Sequence, residues 1–138
     1  SLDLIKQGNM ILIVDDLMND KEASEKMCEI FTKYAHHYNI TCIFILQNLF
    51  LKFKDARTIS LNAHYIVLMK NCRDKAQIRH LALQVYPTNV KFLVEAFEDA
   101  TKEPFSYLLL DFKPESDEKF RVRTRIFPGE LMVVYEKI

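Results

Sequence analysis

Two adjacent carboxylates and one amide are the side chains whose types and spacing most suggest chemistry in this sequence. Asp15 and Asp16 directly follow an aliphatic run, Ile11 to Val14, and Gln47 directly follows a second apolar run, Ile40 to Leu46. Acids at the end of a buried strand commonly hold a cation or activate a water molecule. Because ligands of open α/β sheets bind beyond the carboxyl ends of the strands, we expect the three side chains to converge at one edge of a sheet.

The acid pair is compatible with three roles. The simplest is a turn that begins the following helix. The second is the Mg²⁺ site of a receiver domain, but such a domain needs a phospho-accepting aspartate at the end of its third strand, where this sequence has "VLMKNC". The third is the second half of an ATPase site, in which Asp15 orients Mg²⁺ through water, Asp16 polarises the attacking water and Gln47 senses the γ-phosphate. The residues match this third set of roles in type and order.

The elements that must position these side chains alternate between strand and helix. Apolar runs predict strands over residues 10–14, 40–46, 64–69 and 105–112, and apolar residues at helical spacing predict helices between them. Two extended segments, "KFRVRTRIF" and "LMVVYEKI", flank a turn at Pro128-Gly129. We therefore predict a single α/β domain over residues 1–138, with a mostly parallel sheet flanked by helices and a C-terminal β-hairpin.

Composition limits the classes of function. Lys plus Arg equals Asp plus Glu at 19 each, so whole-chain charge predicts neither nucleic-acid nor membrane binding. The sequence contains no run of about 18 apolar residues, so we expect no transmembrane helix. Cys28, Cys42 and Cys72 lack CxxC spacing, which indicates reduced thiols in an intracellular protein. Gly8 and Gly129 are the only glycines. The phosphate loops GxxxxGK[ST] and GxGxxG are therefore both missing from the sequence.

Four stretches of the sequence together resemble one family. "ILIVDDLM", "ITCIFILQN", "RTISLNAHYIVLMKNCRD" and "FRVRTRIFPGE", in this order, look like the genome-packaging ATPases of the FtsK/HerA type, as encoded by Maverick/Polinton transposable elements, adintoviruses and related large DNA viruses. The likeness extends from about Met10 to Tyr135. It implies the second half of a P-loop NTPase core, which carries the Walker B acids and the sensor.

The resemblance also implies cofactors, partners and a cellular setting. Members of the family look like ring-forming motors that use ATP and Mg²⁺ to push double-stranded DNA into a capsid. Other copies of the subunit, duplex DNA and capsid proteins are the implied partners, with no membrane, in the nucleus or a cytoplasmic virus factory of a eukaryotic host. Arg57 or Arg73 would act on the neighbouring subunit's nucleotide. Lys33 lies where the wider family often carries such an arginine.

The chain departs from the family at the phosphate loop. Nine residues precede Met10, whereas the family's Walker A segment should precede Asp15 by a long stretch. We expect either a fragment of a longer ATPase or a remnant that keeps the second half of the fold as a non-catalytic interaction module. In both cases this chain alone is predicted to bind no ATP and to hydrolyse none.

A basic segment near the C-terminus is a weaker candidate for DNA binding. The alternation in "KFRVRTR" predicts a strand with Lys119, Arg121, Arg123 and Arg125 on one face. Such a row could track DNA phosphates independently of sequence. The alternative is a solvated edge strand that charge keeps from pairing with other chains.

Overall fold

The computed structural model describes residues 10–15, 21–47 and 60–137. The chain divides into two compact units, Ser1–Asn62 and Ala63–Ile138. The prediction that residues 1–138 form one domain stays a prediction. No helix in the described ranges is long and apolar enough to cross a membrane, and the three cysteines are free thiols.

The first unit is built on a parallel pair of strands. β1 (Met10–Asp15) and β2 (Ile40–Ile45) pair in parallel, with Asp15 opposite Ile45. Both strands are aliphatic and rich in β-branched isoleucine, which packs well on a pleated surface. Parallel neighbours require a long crossover connection, and the helical segment between them supplies it.

The crossover is one continuous helical segment with a π turn in its middle. α1 (Lys21–Glu29) runs into the π turn (Ile30–Tyr34), which runs into α2 (Ala35–His37). The ring of Phe31 meets the ring of Phe44 edge-on, with 5.1 Å between centroids. The helix therefore covers the face of the parallel pair that carries Phe44.

The opposite face of the parallel pair is apolar and exposed. Side chains alternate across a strand, and Ile11, Ile13, Ile43 and Ile45 lie on this face with 44% to 68% of their surface accessible. Asp15 continues the row that Ile11 and Ile13 begin. Parallel sheets are normally covered on both faces, so this pair presents surface of the kind that usually packs against another element.

The second unit is an antiparallel sheet with two helices. Its strands lie in chain order, each antiparallel to its neighbour: β3 (Tyr65–Met69), β4 (Tyr107–Asp111), β5 (Val122–Thr124) and β6 (Val133–Val134). The helices α3 (Ala76–Val85) and α4 (Val90–Ala100) both fall between β3 and β4. The α/β class is confirmed, with the parallel pairing confined to β1 and β2 among the strands that the structure describes.

The core of the second unit combines alternate residues of the sheet with the apolar stripes of the helices. Leu108 and Leu110 of β4 are at most 1% exposed, and Leu81 of α3 and Leu93 of α4 are at most 2% exposed. Asn89 begins α4 as its N-cap, because its side-chain oxygen accepts from the Phe92 N–H at 3.3 Å.

The C-terminal hairpin is confirmed, but the predicted strand of four cations is wrong. β5 and β6 pair across a turn in which Gly129 has a φ of 90°. Glu118–Phe120 is a 3-10 turn because the Asp117 side chain accepts from the Lys119 N–H at 2.9 Å. Arg125, beyond β5, has a φ of 56°. The strand between these two interruptions is only three residues long.

Replacing Leu93 with alanine tests the core. Leu93 is 0% exposed, whereas Leu83 in the neighbouring helix is 49% exposed. We expect Leu93→Ala to lower the free energy of unfolding by about 3 kcal/mol, because it removes buried methyl groups and leaves a cavity. The matched Leu83→Ala change should cost much less. Urea denaturation followed by circular dichroism measures both, and equal effects would contradict this packing.

Candidate functional site

Asp15 and Gln47 lie at the same edge of the parallel pair. Asp15 is the last residue of β1 and stands opposite Ile45, the last residue of β2, and Gln47 follows two residues later. Because the strands are parallel, both residues lie at the carboxyl edge of the pair. Both are exposed. A carboxylate and an amide at one open edge can meet a ligand from solvent.

The other candidates for nucleotide chemistry are placed differently. Asp16 and Arg57 lie outside the described residues. Arg73 is exposed in the loop between β3 and α3, where its N–H donates to the Asn71 side-chain oxygen at 3.0 Å. Lys33 lies on the π turn, and its ammonium group is 3.1 Å from the Glu29 carboxylate. Both ends of that ion pair are exposed, so the pair holds Lys33 only weakly.

The edge where Asp15 and Gln47 lie, here named the acidic edge, offers oxygen ligands. Mg²⁺ prefers oxygen ligands, keeps several waters and is usually held by one or two carboxylates together with substrate phosphates. Asp15 offers one exposed carboxylate at this edge. No group of three or more His, Cys, Asp or Glu side chains able to hold a metal occurs within the described ranges, and a nucleotide-bound Mg²⁺ does not require one.

A buried carboxylate that the sequence patterns did not single out organises the end of β4. Asp111 is 2% exposed. One of its oxygens accepts from the Lys113 N–H at 3.1 Å and the Ser116 hydroxyl at 3.0 Å, and the other accepts from the Arg123 guanidinium at 2.9 Å. Burial alone would raise the pKa of this carboxyl, but these hydrogen bonds and the charge of Arg123 outweigh it. The pKa of Asp111 therefore lies below its ordinary value.

Two of the four cations proposed for DNA binding are held by protein acceptors. The Arg121 guanidinium donates to the carbonyl oxygens of Asp111 and Lys113 at 3.1 and 3.0 Å. The side chains of Arg121 and Arg123 are only 18% and 17% exposed. Lys119 and Arg125 are exposed, and the Lys119 ammonium is 3.6 Å from a Glu136 oxygen. DNA binding by these four residues stays a prediction, and Arg121 and Arg123 have structural partners without it.

A cleft of about 680 Å³ in the second unit carries a second polar cluster. The Tyr135 hydroxyl donates to one Asp99 oxygen at 2.8 Å, and the Lys102 ammonium donates to the other at 2.6 Å. The bonds from Lys102 and Tyr135 lower the pKa of Asp99, while burial and the Asp99 charge raise the pKa of Tyr135. At neutral pH the tyrosine therefore remains the donor and the aspartate the acceptor.

The chain matches no family model, no curated protein and no solved structure. The resemblance to packaging ATPases therefore rests on the sequence stretches that carry it.

The position of Asp15 and Gln47 at one sheet edge was predictable from chain order. Asp111 also ends an apolar strand, "YLLLD", and that signal was present in the sequence.

Replacing Asp111 with asparagine tests the buried network. A carboxyl whose folded pKa is lowered contributes stability in full above its unfolded pKa, and the contribution is lost as pH falls through the folded pKa. We expect Asp111→Asn to lower the free energy of unfolding by about 2 kcal/mol at neutral pH, because Arg123 loses its charged partner. The difference from the unchanged protein should shrink once the pH falls below about 4.

The control removes one carboxylate from an exposed ion pair. Lys91 and Glu95 are 3.4 Å apart and largely exposed, so Glu95→Gln should change the free energy of unfolding by about 0.5 kcal/mol or less. Urea titrations at several pH values compare the two variants. An Asp111→Asn protein as stable as the Glu95→Gln protein would show that the buried pair has no stabilising role.

Proposed function

We propose that this chain is the Walker B and sensor part of an ATP-driven motor that packages viral or transposon DNA. The observation that carries the proposal is the parallel register of β1 and β2, which supports a shared site for Asp15 and Gln47. The fold would be the second half of a P-loop NTPase core. Its partners would be other copies of the subunit in a ring, duplex DNA and capsid proteins, in the nucleus or a virus factory.

The proposed chemistry divides the work among neighbouring side chains. Phosphoryl transfer depends mainly on positioning and on electrostatic stabilisation of the transferring group. Asp15 would orient Mg²⁺ through a bound water, Asp16 would polarise the attacking water, and Gln47 would sense the γ-phosphate. An arginine from the adjacent subunit, Arg57 or Arg73, would neutralise charge on the transferring group.

Nucleotide binding would require a segment that this sequence does not contain. With neither GxxxxGK[ST] nor GxGxxG in the 138 residues, the chain has no glycine-rich loop whose N–H groups could cradle the phosphates. A Walker A segment would have to complete the site. We therefore expect no ATP hydrolysis by this chain alone.

A non-catalytic interaction module is the second candidate, and exposed apolar side chains on β1, β2 and β3 favour it. The Ile11, Ile13, Ile43 and Ile45 face is apolar and exposed, and on the edge strand β3 three alternate side chains, Tyr65 to Met69, are 47% to 59% exposed. Such surfaces suit association with another protein. The receiver-like alternative gains no support, because β3 pairs antiparallel with β4 and Lys70 follows it.

Supplying the phosphate loop tests the motor proposal. The chain would be expressed alone and together with the polypeptide encoded directly upstream of Ser1, and Mg²⁺-dependent phosphate release from ATP would be measured. We expect hydrolysis only in the combined preparation. Asp16→Asn should then lower kcat by about 100-fold or more, because the attacking water loses its general base, while nucleotide binding persists.

The control changes an aspartate far along the chain from the acid pair. Asp117 is exposed near the C-terminus, so Asp117→Asn should leave kcat unchanged. An upstream sequence without GxxxxGK[ST], or a combined preparation that Asp16→Asn does not impair, would overturn the motor proposal. In that event the exposed apolar side chains of β1, β2 and β3 would leave the interaction module as the better explanation.

A further inference from the structure

Four exposed cations cluster where β3 leads into α3. Lys70, Arg73, Lys75 and Arg79 lie within ten residues of chain, and all four are exposed. We name these four residues the basic corner. Lys75 is the residue from which α3 begins, and Arg79 follows it one helical turn later.

Asp74, which lies between Arg73 and Lys75, already has hydrogen-bond partners. One Asp74 oxygen accepts from the Ala76 N–H at 3.1 Å, and the other accepts from the Gln77 side-chain amide at 3.1 Å. Both bonds fix the start of α3. Asp74 therefore serves the helix, and none of the ion pairs found in the described ranges includes Arg73, Lys75 or Arg79.

Other exposed lysines contrast with this arrangement. Five of them have a carboxylate partner within 3.6 Å: Lys26, Lys33, Lys91, Lys102 and Lys119. Elsewhere in the described chain, positive charge is thus mostly balanced locally. At the basic corner it accumulates.

This accumulation disfavours the helix that carries it. Like charges one turn apart, as in Lys75 and Arg79, repel each other. Cations near the start of a helix also oppose the positive end of its dipole. Because these cations repel one another and have no ion pair in the described structure to offset this, binding an external anion would relieve the repulsion.

The composition of the corner favours one class of anion. Ile78 is the one large apolar residue between Lys70 and Arg79, and it is only 9% exposed. Binding to a membrane surface strengthens with the apolar area that inserts, and the residues between Lys70 and Arg79 offer little of it. Arginine, lysine and amide side chains are instead the usual donors to phosphate oxygens of nucleic acid. The corner therefore suits a densely charged backbone that it contacts only through polar groups.

We propose that the basic corner binds the phosphate backbone of duplex DNA without regard to sequence. Duplex DNA carries one negative charge per about 1.7 Å of its axis, a density that several neighbouring cations can exploit at once. The choice of duplex DNA rests on the proposed function. On this proposal Arg73 contacts DNA and does not act on a neighbouring subunit's nucleotide.

Salt-dependent binding tests the basic corner. Fluorescence anisotropy would follow the binding of a labelled DNA duplex to the full chain over a series of NaCl concentrations. We expect the triple variant Arg73→Gln, Lys75→Gln, Arg79→Gln to bind more weakly at every sequence tried. The slope of log K against log salt should become shallower by about three, because each cation that no longer meets a phosphate reduces it by about one.

A matched triple variant separates location from total charge. Lys26→Gln, Lys33→Gln and Lys91→Gln remove the same charge from exposed lysines that already have acidic partners, and should leave the slope unchanged. Equal weakening by both triple variants, or no DNA binding by the unchanged chain, would overturn the proposal. So would binding to phosphatidylserine vesicles but not to DNA.

The two proposals can fail separately. DNA binding needs no phosphate loop, so the salt series uses this chain as it stands and measures no hydrolysis. A corner-dependent slope together with an inactive combined preparation would overturn the motor and leave the DNA surface. Hydrolysis that depends on Asp16, with DNA binding indifferent to the corner, would overturn only the inference drawn from the corner. Circular dichroism of both triple variants confirms that each is folded.

Discussion

Parallel pairing between β1 and β2 is the constraint on which the candidate site depends. It sends both strands toward the same edge, so Asp15 and Gln47 reach solvent together. A slip of one residue in this register would turn every side chain of one strand to the other face. Phe44 would then leave Phe31, which it meets at 5.1 Å. The packing of the helix on the sheet and the geometry of the acidic edge therefore specify each other.

Strand positions were predictable from the sequence, whereas strand direction in the second unit was not. Each strand from β1 to β4 corresponds to a continuous apolar run, which marks a buried strand but carries no information on its direction. One helix between two strands returns the chain for a parallel pairing. Two helices, α3 and α4, add a further reversal, and β4 therefore runs antiparallel to β3. The turn that separates α3 from α4 decides the topology.

The acidic edge was predictable because its residues follow their strands directly in the chain. The structure of the basic segment, residues 119–125, was not predictable, because it depends on Asp111, a partner outside the segment. Alternation of cations and apolar residues suggested a strand, but the Asp117 cap interrupts it locally and Asp111 draws Arg123 inward from twelve residues away. Local patterns report periodicity and do not report which charge will be buried. The basic corner shows the reverse case, in which the cations have no ion-pair partner within the described chain.

The Asp111–Arg123 pair also constrains how this chain can diverge. Losing either member leaves a buried charge without its partner, whereas replacing both with apolar residues of similar volume is often tolerated. Single substitutions at these positions should therefore be purged, and double substitutions should survive. Among homologues, positions 111 and 123 are expected to covary, while an exposed pair such as Lys91 and Glu95 drifts independently. A buried ion pair therefore leaves correlated substitutions among homologues, which a surface pair does not.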